Sequence, residues 1–197
     1  MTVRRVLSIA VALAASAAFA TLAEYQSAKR KALLIEADRV PPQGSVFFTP
    51  GEVNAYAAAE ARREVPAGLR NPRIVLGANT MSGSALIDFE QVQTAAGNPP
   101  GALLSWLLRG EREVTVEVGV RSGQGTAQVD VRSVTVGGAT LSGRALDAII
   151  NYYVLPRYPE AAIGRPFQLR HNVRQVAVAP GGVTFSFGGA AAPSPRK

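Results

Sequence analysis

The chain has no cysteine in its 197 residues and a single histidine. The missing thiols exclude disulfides, thiolate nucleophiles, Cys-ligated zinc and lipid attachment at a signal-peptide cysteine. With His171 alone, a His-based metal cluster is excluded too. Nucleotide chemistry lacks its cradle, because neither Gly-Lys-Ser/Thr nor Gly-x-Gly-x-x-Gly follows a strand-like run, and no Gly-x-Ser-x-Gly elbow presents a serine. The arginines are scattered without interleaved aromatics, which argues against nucleic-acid readout. Among the carboxylates, Asp88 and Glu90 are expected on one strand face while Asp130 and Asp147 stand alone. That is the pattern of solvated acids rather than of a general acid and base. His171 falls in phase with Phe167, Leu169 and Val173, which predicts a partly buried strand residue. The expectation is a protein that is not an enzyme and needs no cofactor.

What is present first is a leader. Arg4 and Arg5 precede an uncharged run from Val6 to Ala23, and both Ala18-Phe19-Ala20 and Thr21-Leu22-Ala23 read as small-x-small cleavage sites. This is the layout of an export signal. At ~1.5 Å per residue the run reaches roughly 27 Å, just short of a bilayer core, so it is either cleaved or kept as an anchor. Removing Arg4 and Arg5 from the 21 basic residues still leaves an excess over the 14 acidic ones, a mild basicity that suits a solvated surface or anionic headgroups. Residues 1–23 are therefore read as signal peptide or signal anchor, 24–42 as a membrane-proximal helix, 43–187 as one domain and 188–197 as a loose tail. The expected location is extracytoplasmic, as a periplasmic or inner-membrane-anchored protein.

Local signals mark the elements. Glu24 to Asp38 mixes Ala28, Leu33, Leu34 and Ile35 with charges and ends before Pro41-Pro42, which predicts a helix. Thr49-Pro50-Gly51-Glu52 predicts a capping box opening a second helix, with Val53, Tyr56, Ala57 and Ala61 on one face. Strands are predicted at Arg73 to Leu76 and Ser84 to Glu90, then a short helix carrying Leu103 to Leu108 with Trp106 in its face. Val114, Val116, Val118 and Val120 alternate with polar residues, Ser122-Gly123-Gln124-Gly125 turns, and Ala127, Val129 and Val131 return. The phase then slips between Val131 and Val134, the mark of a bulge. Val173 to Val178 repeats the same Val-Arg-x-Val-x-Val pattern, and each copy ends near a glycine pair, Gly137-Gly138 and Gly181-Gly182. Ser142 is placed to cap a helix on which Leu146, Ile149, Ile150, Tyr153 and Val154 share a stripe that ends at Pro156. The predicted class is α+β: a long, strongly curved antiparallel sheet of hairpins wrapped around an amphipathic helix, preceded by N-terminal helices.

Phe48 to Tyr56, with its Thr-x-x-Glu-Val-Asn start, and the Val-Thr-Val-Gly-Gly-Ala-Thr-Leu stretch from Val134 to Leu141 resemble the YpmS-like and LmeA-like envelope proteins related to the tubular lipid-binding (TULIP) superfamily. The resemblance covers about Phe47 to Phe187. It implies a sheet rolled around a helix, an apolar interior for lipid, and a leader retained as a tether. Carried onto the alternation of this chain, the lining would be Val114, Val116, Val118, Val129 and Val131 with Leu146, Ile149, Ile150 and Tyr153. Lys29, Arg30 and Lys31 would lie near anionic headgroups at about 1 kcal/mol each. The expected partners are a lipid or acyl-chain ligand and the membrane, with no nucleic acid. The other reading is a structural or assembly protein that docks onto a second envelope protein through the Leu103–Leu108 helix or a sheet edge.

Overall fold

The computed structural model describes residues 21–64, 68–91, 109–141, 143–149, 151 and 164–188. The leader up to residue 20, the Leu103–Leu108 helix, Ser142, Ile150, Tyr153, Val154 and the tail from residue 189 lie outside these, as does the Ile149 side chain. Among the described residues no helix is long and apolar enough to cross a membrane.

The chain is α+β with two antiparallel sheets. Helix α1 covers residues 21–36 and leads into β1 (Ser45–Phe48) and α2 (Pro50–Glu64). The strands β2 (Leu69–Gly77) and β3 (Thr80–Asp88) are each longer than their apolar signals predict, and they close as a hairpin through Ala78 and Asn79, the latter at positive φ. Strands β4 (Glu111–Gly123) and β5 (Thr126–Val136) turn at Gln124-Gly125, where both residues adopt positive φ. This is the turn chemistry a tight hairpin needs. A second such turn at Gly137-Gly138 leads into β6 (Ala139–Leu141), and helix α3 (Arg144–Ile149) follows. Then come β7 (Phe167–Gln168), β8 (Val173–Ala179) and β9 (Gly182–Phe187). The larger sheet is open, in the order β2-β3-β4-β5-β6, with β7 also pairing β5; the smaller runs β1-β9-β8.

Both repeated Val-Arg-x-Val motifs are bulges, and in each the supernumerary residue is the arginine. Glu117 pairs with Ser133 and Val118 with Val131, which leaves Arg132 extra; Val173 pairs with Phe187 and Gln175 with Ser186, which leaves Arg174 extra. Because the added residue absorbs the slip, Val131 and Val134 stay on the same sheet face despite their odd spacing. In edge strand β2 the ladder is interrupted at Asn71-Pro72, where Pro72 has no N–H to donate.

The smaller sheet is joined to the larger at the hairpin tips. The outer edge of β8 would otherwise present bare backbone groups. Instead Asn79 N–H donates to the Val178 carbonyl at 3.0 Å, Gly125 N–H donates to the Arg174 carbonyl at 2.9 Å, and Val176 N–H donates to Ser122 Oγ at 2.8 Å. Two buried clusters lie at opposite ends of this arrangement. Phe89, Val134, Val136 and Leu141 form one, packed by Ile87, Val114, Val116, Val131, Ala139, Ala145 and Leu146. Leu76, Val178 and Val183 form the other, with Val53, Ile74, Met81, Val120, Val176 and Phe185 around them.

Two expectations are corrected. His171 is not a strand residue: it occupies the turn between β7 and β8 at positive φ, half-buried, with Nδ1 3.5 Å from an Asp38 carboxylate oxygen. Glu90 does not continue β3. The strand stops at Asp88, whose carboxylate accepts from the backbone of Glu90 at 3.1 Å and of Gln91 at 3.2 Å and so caps the helical turn at residues 89–91.

Candidate functional site

Alternation places Met81, Gly83, Ala85 and Ile87 of β3 on one face with Val114, Val116, Val118 and Val120 of β4 and with Val129, Val131, Val134 and Val136 of β5. The opposite face carries Ser82, Ser84, Glu117, Arg121, Gln128 and Asp130. Of the expected lining, Val114, Val116, Val131 and Leu146 come together against the first cluster. Val118 and Val129 are half-buried and belong to neither cluster. Val118 lies between Met81, which packs on the second cluster, and Val131, which packs on the first; Val129 pairs with Val120, and Gly83, opposite Val116, leaves open space above its Cα. The apolar face is thus continuous; Val114, Val116, Val118, Val120, Val129 and Val131 are all half-buried on it, and only Val134 and Val136 of its valines are buried.

The polar face holds a depression of about 210 Å³ lined by Asn79, Gly119, Val120, Arg121, Asp130 and Arg132. Arg121 bridges to Asp130 at 2.7 Å, Gln128 donates to the same carboxylate at 2.9 Å, and the Arg132 guanidinium lies across bare Gly119. Arg121 is largely solvated, so screening keeps that pair within about 1 kcal/mol. A second depression of about 150 Å³ lies among Asp38, Val40, Pro42, His171, Asn172, Phe187 and Gly188. Among the described residues no group of three His, Asp or Glu side chains is placed to hold a metal ion.

The capping motif is a junction. Thr49 N–H donates to Glu52 at 2.9 Å and Glu52 N–H donates back to Thr49 Oγ1 at 3.2 Å, completing the reciprocal box. Glu52 is only 5% exposed, and its carboxylate receives Lys31 Nζ of α1 at 2.6 Å on each oxygen. Lys31 also donates to the Phe47 carbonyl at 2.8 Å and lies 5.5 Å from the centre of the Phe48 ring. Burial would raise the Glu52 carboxyl, but hydrogen bonds from Lys31, Ser27 and the Thr49 backbone, with the Lys31 charge, outweigh it and hold the group below its ordinary value. Burial, aided by Glu60, Glu36 and Tyr25, pushes the Tyr56 phenol up. Lys31 is therefore committed inward, whereas Lys29 and Arg30 are exposed.

Two positions further along, Asn54 pairs with strand β2. Its amide nitrogen donates to the Ile74 carbonyl at 2.8 Å and its oxygen accepts from Ile74 N–H at 2.7 Å. One side chain so completes the ladder of an edge strand. Sequence reasoning saw the Thr-x-x-Glu spacing but not these roles, because their partners lie about twenty positions away.

No known protein family, curated protein or solved structure matches this chain.

Proposed function

We propose that the chain is an exported, non-catalytic cell-envelope protein that binds or shields a lipid or lipid-linked precursor along the apolar face of β3, β4 and β5. The observation that carries this reading is the unbroken apolar face itself, on which half-buried Val118 and Val129 belong to neither buried cluster and Gly83 leaves open space opposite Val116. An acyl chain laid there removes apolar surface from water at about 25 cal/mol per Å², without requiring polar partners. In this reading the larger sheet curves strongly around the helix that starts at α3, the Arg132 bulge supplying the bend, and the leader holds the module within reach of a membrane. Val114, Val116 and Val131, facing Leu146, line one end of the groove so formed, and Val118 and Val129 continue the same sheet face beyond it. The test is lipid extraction and mass spectrometry of the detergent-free purified protein. Co-purified acyl lipid that disappears in Val118→Arg, with circular dichroism unchanged, supports the reading; a wild-type protein that comes off empty sinks it.

A second reading has its own observation. Strand β1 is an edge of the smaller sheet and Phe47 on it is 48% exposed, which suits docking onto another envelope protein through that edge. Phe47→Asp would then abolish co-purification of a partner while lipid content stays the same.

A further inference from the structure

We infer that the outward face of α1 docks flat on the anionic surface of a lipid bilayer, a partner that deepens the membrane-proximal part of the reading above and rests on it. The inward face of the helix is fixed: Ala28 is fully buried, Tyr25 stacks on Tyr56 with centroids 6.3 Å apart and receives Arg63 on its hydroxyl at 3.0 Å, and Lys31 is held by Glu52. What remains is an outward arc of about 140°, at 3.6 residues per turn, that holds Leu22, Gln26, Lys29, Arg30, Leu33 and Leu34. The three leucines are 51%, 52% and 46% exposed, an unusual burden of open apolar surface for one short face. Two cations lie among them and no acid does: Glu24 turns inward over bare Gly51, and Glu36 borders the arc.

Apolar anchors interleaved with cations fit an interface with hydrocarbon beneath and phosphate at the rim. Leu22 and Leu34 lie about 18 Å apart along the axis, so both reach the bilayer only if the helix lies along it. The uncharged run that ends at Ala23 delivers the chain to that surface.

Because the chain has no cysteine, single labels report position cleanly. The full chain carrying Leu33→Cys, labelled with an environment-sensitive fluorophore, is reconstituted in phosphatidylcholine vesicles with and without phosphatidylglycerol, with brominated acyl chains as quencher. Exposed Val75→Cys on β2 serves as the control. The expected result is blue-shifted, quenched emission at position 33 in the anionic vesicles and aqueous emission at position 75. Lys29→Glu with Arg30→Glu should weaken quenching at 33. A label at 33 as aqueous as that at 75 in vesicle-bound protein, or a chain that stays off anionic vesicles, overturns the inference; the former result assigns the leucines to a protein partner. Lipid content by mass spectrometry is read on the same samples. An empty protein with position 33 quenched removes the acyl-binding reading and leaves the docking face standing.

Discussion

Replacing Lys31 with methionine removes a charge from the junction of α1, α2 and β1 while keeping most of the stem's bulk. Two oppositely charged groups about 4 Å apart gain roughly 4 kcal/mol at an effective dielectric near 20, and the desolvation of a carboxylate offsets much of that. Removing only the cation leaves the carboxylate its Ser27 and Thr49 backbone bonds but takes away two contacts of 2.6 Å, and the Phe47 carbonyl loses its donor. Lys31 retains some solvent access, so the expected loss is about 2 kcal/mol rather than the full penalty for breaking a buried pair. For a domain of this size that is a fall in Tm of about 4–8 °C. The folded Glu52 carboxyl is held below its ordinary value of 4.5, so its contribution is complete above that value and is lost as pH falls through the folded one. The difference between wild type and Lys31→Met should be widest near neutrality and shrink in acid. Thermal unfolding followed by circular dichroism between pH 3 and 7, with Lys29→Met as an exposed control, measures it. A Lys31→Met protein that melts with wild type at pH 7, or a gap that widens in acid, refutes the role given to the pair.

Asn54→Ala leaves both backbone groups of Ile74 without a partner at the edge of β2 and should cost about 1–3 kcal/mol in urea unfolding, with Asn54→Asp restoring only the acceptor half. At Gly182, with φ of 151°, an added Cβ would run into the Phe48 carbonyl and the Phe47 ring, so Gly182→Ala should lose protection of β1, β8 and β9 amides in hydrogen exchange while β3 and β4 stay protected. Deleting Arg132 removes the one residue of β5 without a ladder partner between Val131 and Ser133, at the cost of only an exposed ion pair to Glu117, and leaves Val131 opposite Val118 and Ser133 opposite Glu117, so it should be tolerated; deleting Val131 instead puts Arg132 on the apolar face and should unfold the hairpin, as thermal melts of the two deletions will show.

The residues of the candidate site were legible in part. Alternation alone put Val114, Val116, Val118, Val129 and Val131 on one face, because side-chain direction in a strand follows a period of two and the slip at Arg132 announced its own bulge. The same logic misread His171, since the chain leaves β7 after Gln168 and turns toward the second sheet before the alternation through Val173 can mean anything. Which valines would be deeply covered and which left half-open was not legible, because that depends on where the second sheet and α3 come to rest.

What the sequence determined by itself is local: the Thr49–Glu52 box, the glycine turns, the two arginine bulges and the polarity of each strand face. Each depends on dihedral preferences or on groups a few residues apart, which the order of residues specifies directly. Only the tertiary structure decided that Lys31 faces Glu52 rather than solvent, that Asn54 completes the edge of β2, that β8 rests on two hairpin tips, and that three leucines of α1 point outward. Those outcomes belong to groups brought together across tens of residues, where burial and hydrogen-bond satisfaction of the assembled chain choose the partners.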